Sequence, residues 1–309
     1  MIKPNALQFG STIGVVAPSS PVSKKIADES KKALEELKFK VKMGSSCYER
    51  YGYLAGNDNI RAGDINNMFS DEEVDGIICL RGGYGSIKIL NLIDYEMIKS
   101  NPKVFIGYSD ITALHLAIHK KCNMVTIHGP MVSSDMLNGF DDFSKESLFN
   151  TIMKNEPVGP IKNPDGEKIR CLVPGKARGK LIGGNLSLIA AVMGTPYALN
   201  MKNKIVFIEE TEEEPYRIDR MLAQLVLSGA LNGAAGIVLG DFRNCEAKDV
   251  SESLSLMEVF NDILKPRHIP AIYNVKAGHC TSKISLPFGT TTYIDADNCK
   301  LTIEESAVK

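Results

Sequence analysis

Ser109 stands in Phe105-Ile106-Gly107-Tyr108-Ser109-Asp110-Ile111-Thr112-Ala113-Leu114, where a β-rich run passes directly into a helical one. A serine at such a junction is presented at the edge of a sheet, beside free N–H groups that favour developing negative charge. The segment is similar to a nucleophile elbow, with Ile111 in place of the second glycine of G-x-S-x-G. The structural alternative is an N-cap serine that starts the helix. Arg81-Gly82-Gly83-Tyr84-Gly85 follows another aliphatic run and allows three readings. It is a tight turn, an oxyanion hole using a glycine N–H together with that of Asp110, or a phosphate loop. Neither G-x-x-x-x-G-K-[ST] nor a complete G-x-G-x-x-G is present to favour the last.

A serine nucleophile needs a base, and the base an orienting acid. His115 and His119 lie four apart on the helix after Ser109, lack the Glu of H-E-x-x-H, and read as ordinary helix histidines. His128, in Ile127-His128-Gly129-Pro130, reads as a residue that lines a cleft or hydrogen-bonds a loop, and His268 sits solvated in the polar turn Lys265-Pro266-Arg267. His279, in Ala277-Gly278-His279-Cys280, is the best-placed base. For the acid, Ile205-Val206-Phe207-Ile208 delivers Glu209 at the end of a buried-looking strand. Glu210, Glu212, Glu213 and Glu214 follow and read as a solvated charge run. No His/carboxylate cluster has metal-ligand spacing, so neither a metal nor a cofactor is expected.

Positioning these residues falls to an α/β framework. Aliphatic runs at 12–17, 74–80 and 103–108 each end in Gly, Pro or Ser and precede helical patterns. Repeated β-then-α order predicts a parallel sheet, whose ligands bind beyond the carboxyl ends of its strands. Breakers gather around Pro157, Pro160, Pro164 and Gly166. The organisation expected is therefore an amino-terminal domain over 1–155, a linker over 156–175 and a mixed α/β domain over 176–309. The 309 residues carry 36 Lys+Arg against 37 Asp+Glu, a net charge of −1 without a basic block, so nucleic acid is not an expected partner. No apolar run has bilayer-spanning length, and the first twenty residues lack a signal-peptide layout, so a soluble cytoplasmic protein is expected. The seven cysteines are scattered without a CxxC pair, which fits buried thiols in a reducing compartment.

Taken in order, Arg81-Gly82-Gly83-Tyr84-Gly85, Gly107-Tyr108-Ser109-Asp110, Gly183-Gly184-Asn185-Leu186, Glu214-Pro215-Tyr216-Arg217-Ile218-Asp219-Arg220 and Gly278-His279 resemble the serine LD-carboxypeptidases. That family includes muramoyltetrapeptide carboxypeptidase and the microcin self-immunity proteins. The resemblance implies a metal-free Ser-Glu-His triad on Ser109, Glu209 and His279, with Gly83 and Asp110 N–H groups as oxyanion donors. It also implies a Rossmann-like amino-terminal domain, a smaller barrel-like carboxy-terminal domain, a cleft site and a homodimer. Cys280 departs from the family pattern. The activity implied is removal of terminal D-alanine from a murein tetrapeptide. Arg81, Arg217 and Arg220 are candidates for the substrate's free carboxylate. Two competing functions are an amidase acting on peptidyl or aminoacyl adenylates, which would need Tyr or Phe as its base platform, and a non-catalytic ligand-binding relative.

Overall fold

Short aliphatic runs bounded by glycine, proline and serine build two sheets. The computed structural model describes residues 1–137 and 139–309. The chain divides into two compact units. The first comprises Met1–Glu156, Ser285–Gly289 and Ser306–Lys309, and the second Pro157–Ile284 and Thr290–Glu305.

In the first unit, β1 (Thr12–Val16), β2 (Lys40–Met43), β3 (Gly76–Cys79), β4 (Val104–Gly107) and β5 (Thr126–His128) are parallel, in the order β5-β4-β3-β1-β2. Between and after them run α1 (Lys24–Glu36), α2 (Asp58–Ser70), α3 (Tyr95–Ser100), α4 (Thr112–Cys122) and α5 (Asp142–Met153). Ser23, Asn57, Asp94 and Asp141 fix four of the helix starts by accepting a backbone N–H. β3 and β4 are buried at every position, as parallel strands covered on both faces must be. The strand order reverses between β1 and β3. Sheets of this type open a ligand crevice at that point, beyond the strands' carboxyl ends.

The second unit holds β6 (Gly159–Ile161), β7 (Arg170–Val173), β8 (Lys176–Asn185), α6 (Leu186–Ala191), β9 (Lys204–Thr211), α7 (Pro215–Leu227), β10 (Gly236–Arg243), α8 (Leu256–Leu264) and β11 (Ala271–Tyr273). After β12 (Leu286–Phe288), which belongs to the first unit, it ends with β13 (Thr291–Asp295) and β14 (Lys300–Ile303). Its sheet runs β6-β14-β13-β8-β9-β10-β11-β7, with parallel pairing from β8 to β11 and antiparallel pairing outside them. The sheet is open, with β6 and β7 at its edges, and does not form the closed barrel that a barrel-like domain would suggest. The breaker-rich stretch read as a linker supplies both edge strands. Pro160 is accommodated because β6 is an edge, where a missing N–H costs no ladder bond. Both units are thus mixed α/β. Among the described residues no helix is long and apolar enough to cross a membrane.

β12 pairs antiparallel with β5, so five residues late in the chain complete the first sheet. Phe288 on this strand is buried, its ring 5.3 Å from that of His128 and 5.7 Å from that of His115. Phe288→Ala should therefore destabilise the first unit by about 3–5 kcal/mol, the usual cost of emptying a phenylalanine site in a core. Urea unfolding followed by far-UV circular dichroism checks this, and a cost below 1 kcal/mol would show that β12 is dispensable.

Candidate active site

At the end of β4 the chain turns through Ser109 with φ +63°, a left-handed conformation that costs a non-glycine residue on the order of 1–2 kcal/mol. Ser109 opens a 3₁₀ turn, Ser109–Ile111, and α4 begins only at Thr112. Tyr108 occupies the N-cap position of that turn, so Ser109 is not the capping serine of the alternative reading. The missing second glycine is explained by its partner. A Cβ on Gly107 would lie 2.9 Å from the Ile111 side chain, so Gly107 leaves the space that Ile111 fills. Buried His115, held neutral by burial that pulls its pKa down to about 4, donates from Nε2 to the Gly107 carbonyl at 2.8 Å. This fixes the strand end from which the turn departs.

The glycine-rich loop after β3 reaches the same place. Gly82 lies against Ser109, since a Cβ there would be 3.2 Å from the serine Oγ. Gly83 has φ +120°. Two buried side chains hold this loop, that of Asp110, which the motifs flagged only for its N–H, and that of Arg61, which they did not flag. The Asp110 carboxylate accepts from Ser19 Oγ, in the loop after β1, and from the Ser86 backbone N–H at 2.8 Å. Ser86 Oγ in turn donates to the Asp110 carbonyl. Arg61 on α2 is fully buried and donates to the carbonyls of Pro18 and Gly85 while pairing with Asp58. The ends of β1, β3 and β4 are thus tied together through Asp110 and Arg61. Asp58 and Arg61 lie three apart on α2, and neither belongs to any of the motifs that singled out Ser109, Glu209 or His279.

In the second unit, β9 delivers Glu209 into the interior at 0% exposure. His279 Nδ1 lies 2.7 Å from Glu209 Oε2. The other carboxylate oxygen is buried with no hydrogen-bond partner among the described residues. Burial acts to lower the His279 pKa, but the Glu209 charge and hydrogen bond overcome it, so the pKa is raised above its ordinary value. The approach requires Gly278: at φ +111° a Cβ there would lie 2.6 Å from Glu209 Oε2. The loop carrying the histidine is tied to β10, with the Asp241 N–H donating to the Ala277 carbonyl at 3.0 Å and Arg243 to the His279 carbonyl at 2.9 Å. With Nδ1–H given to the carboxylate, Nε2 is left as the basic nitrogen.

Glu210 corrects the reading of a solvated charge run. It is 2% exposed and accepts from Asn185 Nδ2 and the Ser187 N–H, each at 2.7 Å, and from the Thr211 N–H at 2.9 Å. Burial still raises its pKa against those three donors. The reason is that β9 ends beside β8, where Asn185 pairs in register with Glu209. Glu212 is exposed, Glu213 pairs with Arg217 at 3.1 Å, and Glu214 lies 3.7 Å from Lys248. Arg217 also donates to Tyr216, and Arg220 is exposed on α7. Arg81 differs from both, being half-buried with its Nε lacking a partner among the described residues. Burial pushes the Cys280 thiol up to about 12, so it remains protonated at neutral pH. His119 is half-buried on α4, and His268 is exposed in its turn. Among the described residues no group of three or more His, Cys, Asp or Glu side chains is arranged to hold a metal ion.

A strained serine at a strand–helix turn and a histidine oriented by a buried carboxylate are the parts of a serine-type hydrolase. Residues 13–129 match the LD-carboxypeptidase N-terminal domain, and residues 178–294 the LD-carboxypeptidase C-terminal domain. The chain belongs to the LD-carboxypeptidase family, Peptidase S66. A Bacillus subtilis (strain 168) protein named as a probable murein peptide carboxypeptidase is 44% identical over 295 residues, covering 93% of this chain and 89% of its own. The crystal structure of muramoyltetrapeptide carboxypeptidase from Oxalobacter formigenes superposes with a TM-score of 0.84 at 26% identity, over 96% of this chain and 99% of that one. The microcin C7 self-immunity protein shares the fold, with a TM-score of 0.93 at 24% identity and full coverage of both chains.

The Glu209–His279 pair makes a prediction about pH. Because the folded-state pKa of His279 is raised, the pair's contribution to stability is full below about pH 6.5 and is lost as pH rises through the folded value. NMR titration of the His279 ring should give a midpoint above 6.5, and Glu209→Gln should bring it below, since burial and the Lys283 charge are then opposed only by the weaker pull of Glu210. Glu210→Gln should leave that midpoint nearly unchanged but cost about 1–3 kcal/mol of stability, because an amide cannot accept from all three donors. A midpoint unmoved by Glu209→Gln would remove Glu209 as the partner.

Proposed function

We propose that this serine-type LD-carboxypeptidase removes the terminal D-alanine from murein tetrapeptides by a triad of Ser109, His279 and Glu209. The observation carrying the mechanism is the 2.7 Å contact between His279 Nδ1 and the buried Glu209 carboxylate. The substrate class rests on the relatives named for murein peptide and muramoyltetrapeptide hydrolysis.

In the proposed sequence, Ser109 Oγ attacks the carbonyl carbon of the L-centre–D-Ala amide while His279 Nε2 takes the hydroxyl proton. Glu209 holds the imidazole in the tautomer with a proton on Nδ1 and stabilises the imidazolium that forms. The N–H groups of Gly83 and Asp110 receive the oxyanion. Loss of one such donor costs about 3–4 kcal/mol in other hydrolases. The histidine passes its proton to the departing D-alanine amine, and water then cleaves the acyl-serine by the reverse roles. Among Arg81, Arg217 and Arg220, Arg81 is best suited to the substrate's carboxylate, because Arg217 is engaged with Glu213 and Arg220 lies exposed on α7. The family resemblance supports two further parts of the reading, a cytoplasmic homodimer and a Rossmann-like amino-terminal unit that carries the nucleophile.

The test is a panel of murein tri-, tetra- and pentapeptides with one aminoacyl adenylate, the last included because the fold is shared with the microcin C7 self-immunity protein. Cleavage of the tetrapeptide with sparing of the D-Ala–D-Ala bond of the pentapeptide is expected. Comparable rates on both peptides, or turnover of the adenylate alone, would overturn the assignment. Ser109→Ala and His279→Ala should each nearly abolish turnover, and the double variant should be little worse than either, as for residues acting as one unit.

A further inference from the structure

Tyr84 is the one aromatic side chain of the glycine-rich loop, between Gly83 and Gly85, and it is 49% exposed. Its ring lies 5.8 Å from that of Tyr53, which is 68% exposed, with the two planes at 57°. Tyr53 is carried on a two-residue turn closed by Tyr51 N–H to the Leu54 carbonyl at 2.8 Å and Leu54 N–H to the Tyr51 carbonyl at 3.0 Å. Beneath the rings the seat is rigid. Leu54 and Ala55 are buried, the Ala55 N–H donates to the Ser19 carbonyl at 2.9 Å, and a Cβ on Gly85 would lie 2.6 Å from Leu54 Cδ2. Tyr48 and Tyr51 in the same segment are exposed as well. Clustered aromatic surface of this kind, left in water on an anchored base, marks a binding site. Tyrosine suits that role because it offers contact area at little conformational cost.

We propose that Tyr53 and Tyr84 form a subsite for the sugar ring of a muramoyl-peptide substrate. This rests on the carboxypeptidase reading above and adds where the non-peptide part of the substrate is held. The platform is continuous with the loop whose Gly83 N–H is the proposed oxyanion donor, so its occupant belongs to the substrate. The rings carry no charge, whereas the peptide stem of murein is rich in carboxylates and is better matched by cations. A pyranose presents a face of C–H bonds to the electron-rich face of an aromatic ring and keeps its hydroxyls in water. In a muramoyl tetrapeptide three residues separate the sugar from the scissile amide, roughly 10 Å of extended chain.

The experiment compares kcat and KM for muramoyl-tetrapeptide and free tetrapeptide in the full-length protein and in Tyr53→Ala and Tyr53→Phe. Tyr53→Ala should raise KM for the muramoyl substrate roughly five- to tenfold, leaving kcat and the free peptide within about twofold. Tyr53→Phe, which keeps the ring, should behave like the unaltered protein. Equal effects on both substrates, no effect on either, or refusal of the muramoyl substrate by the unaltered protein would overturn the subsite and leave the carboxypeptidase reading standing. Hydrolysis of neither substrate by the unaltered protein would overturn that reading and the subsite with it.

Discussion

A carboxylate taken fully out of water must be compensated, and on β9 the His279 imidazole compensates Glu209. Much of the second unit's local structure follows from that requirement. Position 278 must be glycine so that the carboxylate can lie against the backbone. The loop before His279 is tied to β10 by backbone hydrogen bonds and by Arg243, so the ring stays where the charge needs it. The same bond fixes the tautomer, leaving Nε2 to accept a proton. The neighbouring carboxylate, Glu210, does a different job. It satisfies the donors at the end of β8 and the start of α6, and so holds the strand beside which Glu209 emerges.

The first unit solves a complementary problem, keeping a serine in an unfavourable conformation. Strain of one to a few kcal/mol persists only when the surroundings leave no alternative. Ile111 seated on Gly107, His115 donating to the Gly107 carbonyl, and Asp110 bridging to Ser19 and Ser86 provide that restraint. Buried Arg61 adds two carbonyls of the flanking loops to its own ion pair. The Asp110 carboxylate serves the loops, and its N–H is the oxyanion donor of the proposed mechanism.

What could be read from sequence was what local chemistry writes locally. The aliphatic runs ending in Gly, Pro or Ser announced β1, β3 and β4, and the strand-to-helix junction singled out Ser109. Glu209 stood out because a strand of four apolar residues ended on it, and His279 because a glycine preceded it. What escaped depends on partners distant in the chain. Nothing around Leu286–Phe288 says that this strand completes a sheet begun at residue 12. Arg61 belongs to none of the sequence motifs, and its burial follows from loops 24 and 43 residues away. Glu210 was read as solvated because the run of acids hid the fact that the strand continues past Ile208 to Thr211. The breakers at 157–166 were real turns, but they punctuate edge strands rather than a linker.

In the proposed mechanism Ser109 is the nucleophile, activated through His279. Intact-mass and peptide-mapping measurements on protein quenched during turnover of a slowly deacylating murein peptide ester test it most directly. The expected result is a stoichiometric acyl adduct mapped to Ser109, absent from Ser109→Ala and formed far more slowly in His279→Ala. An adduct on another residue, or undiminished turnover by Ser109→Ala, would contradict it.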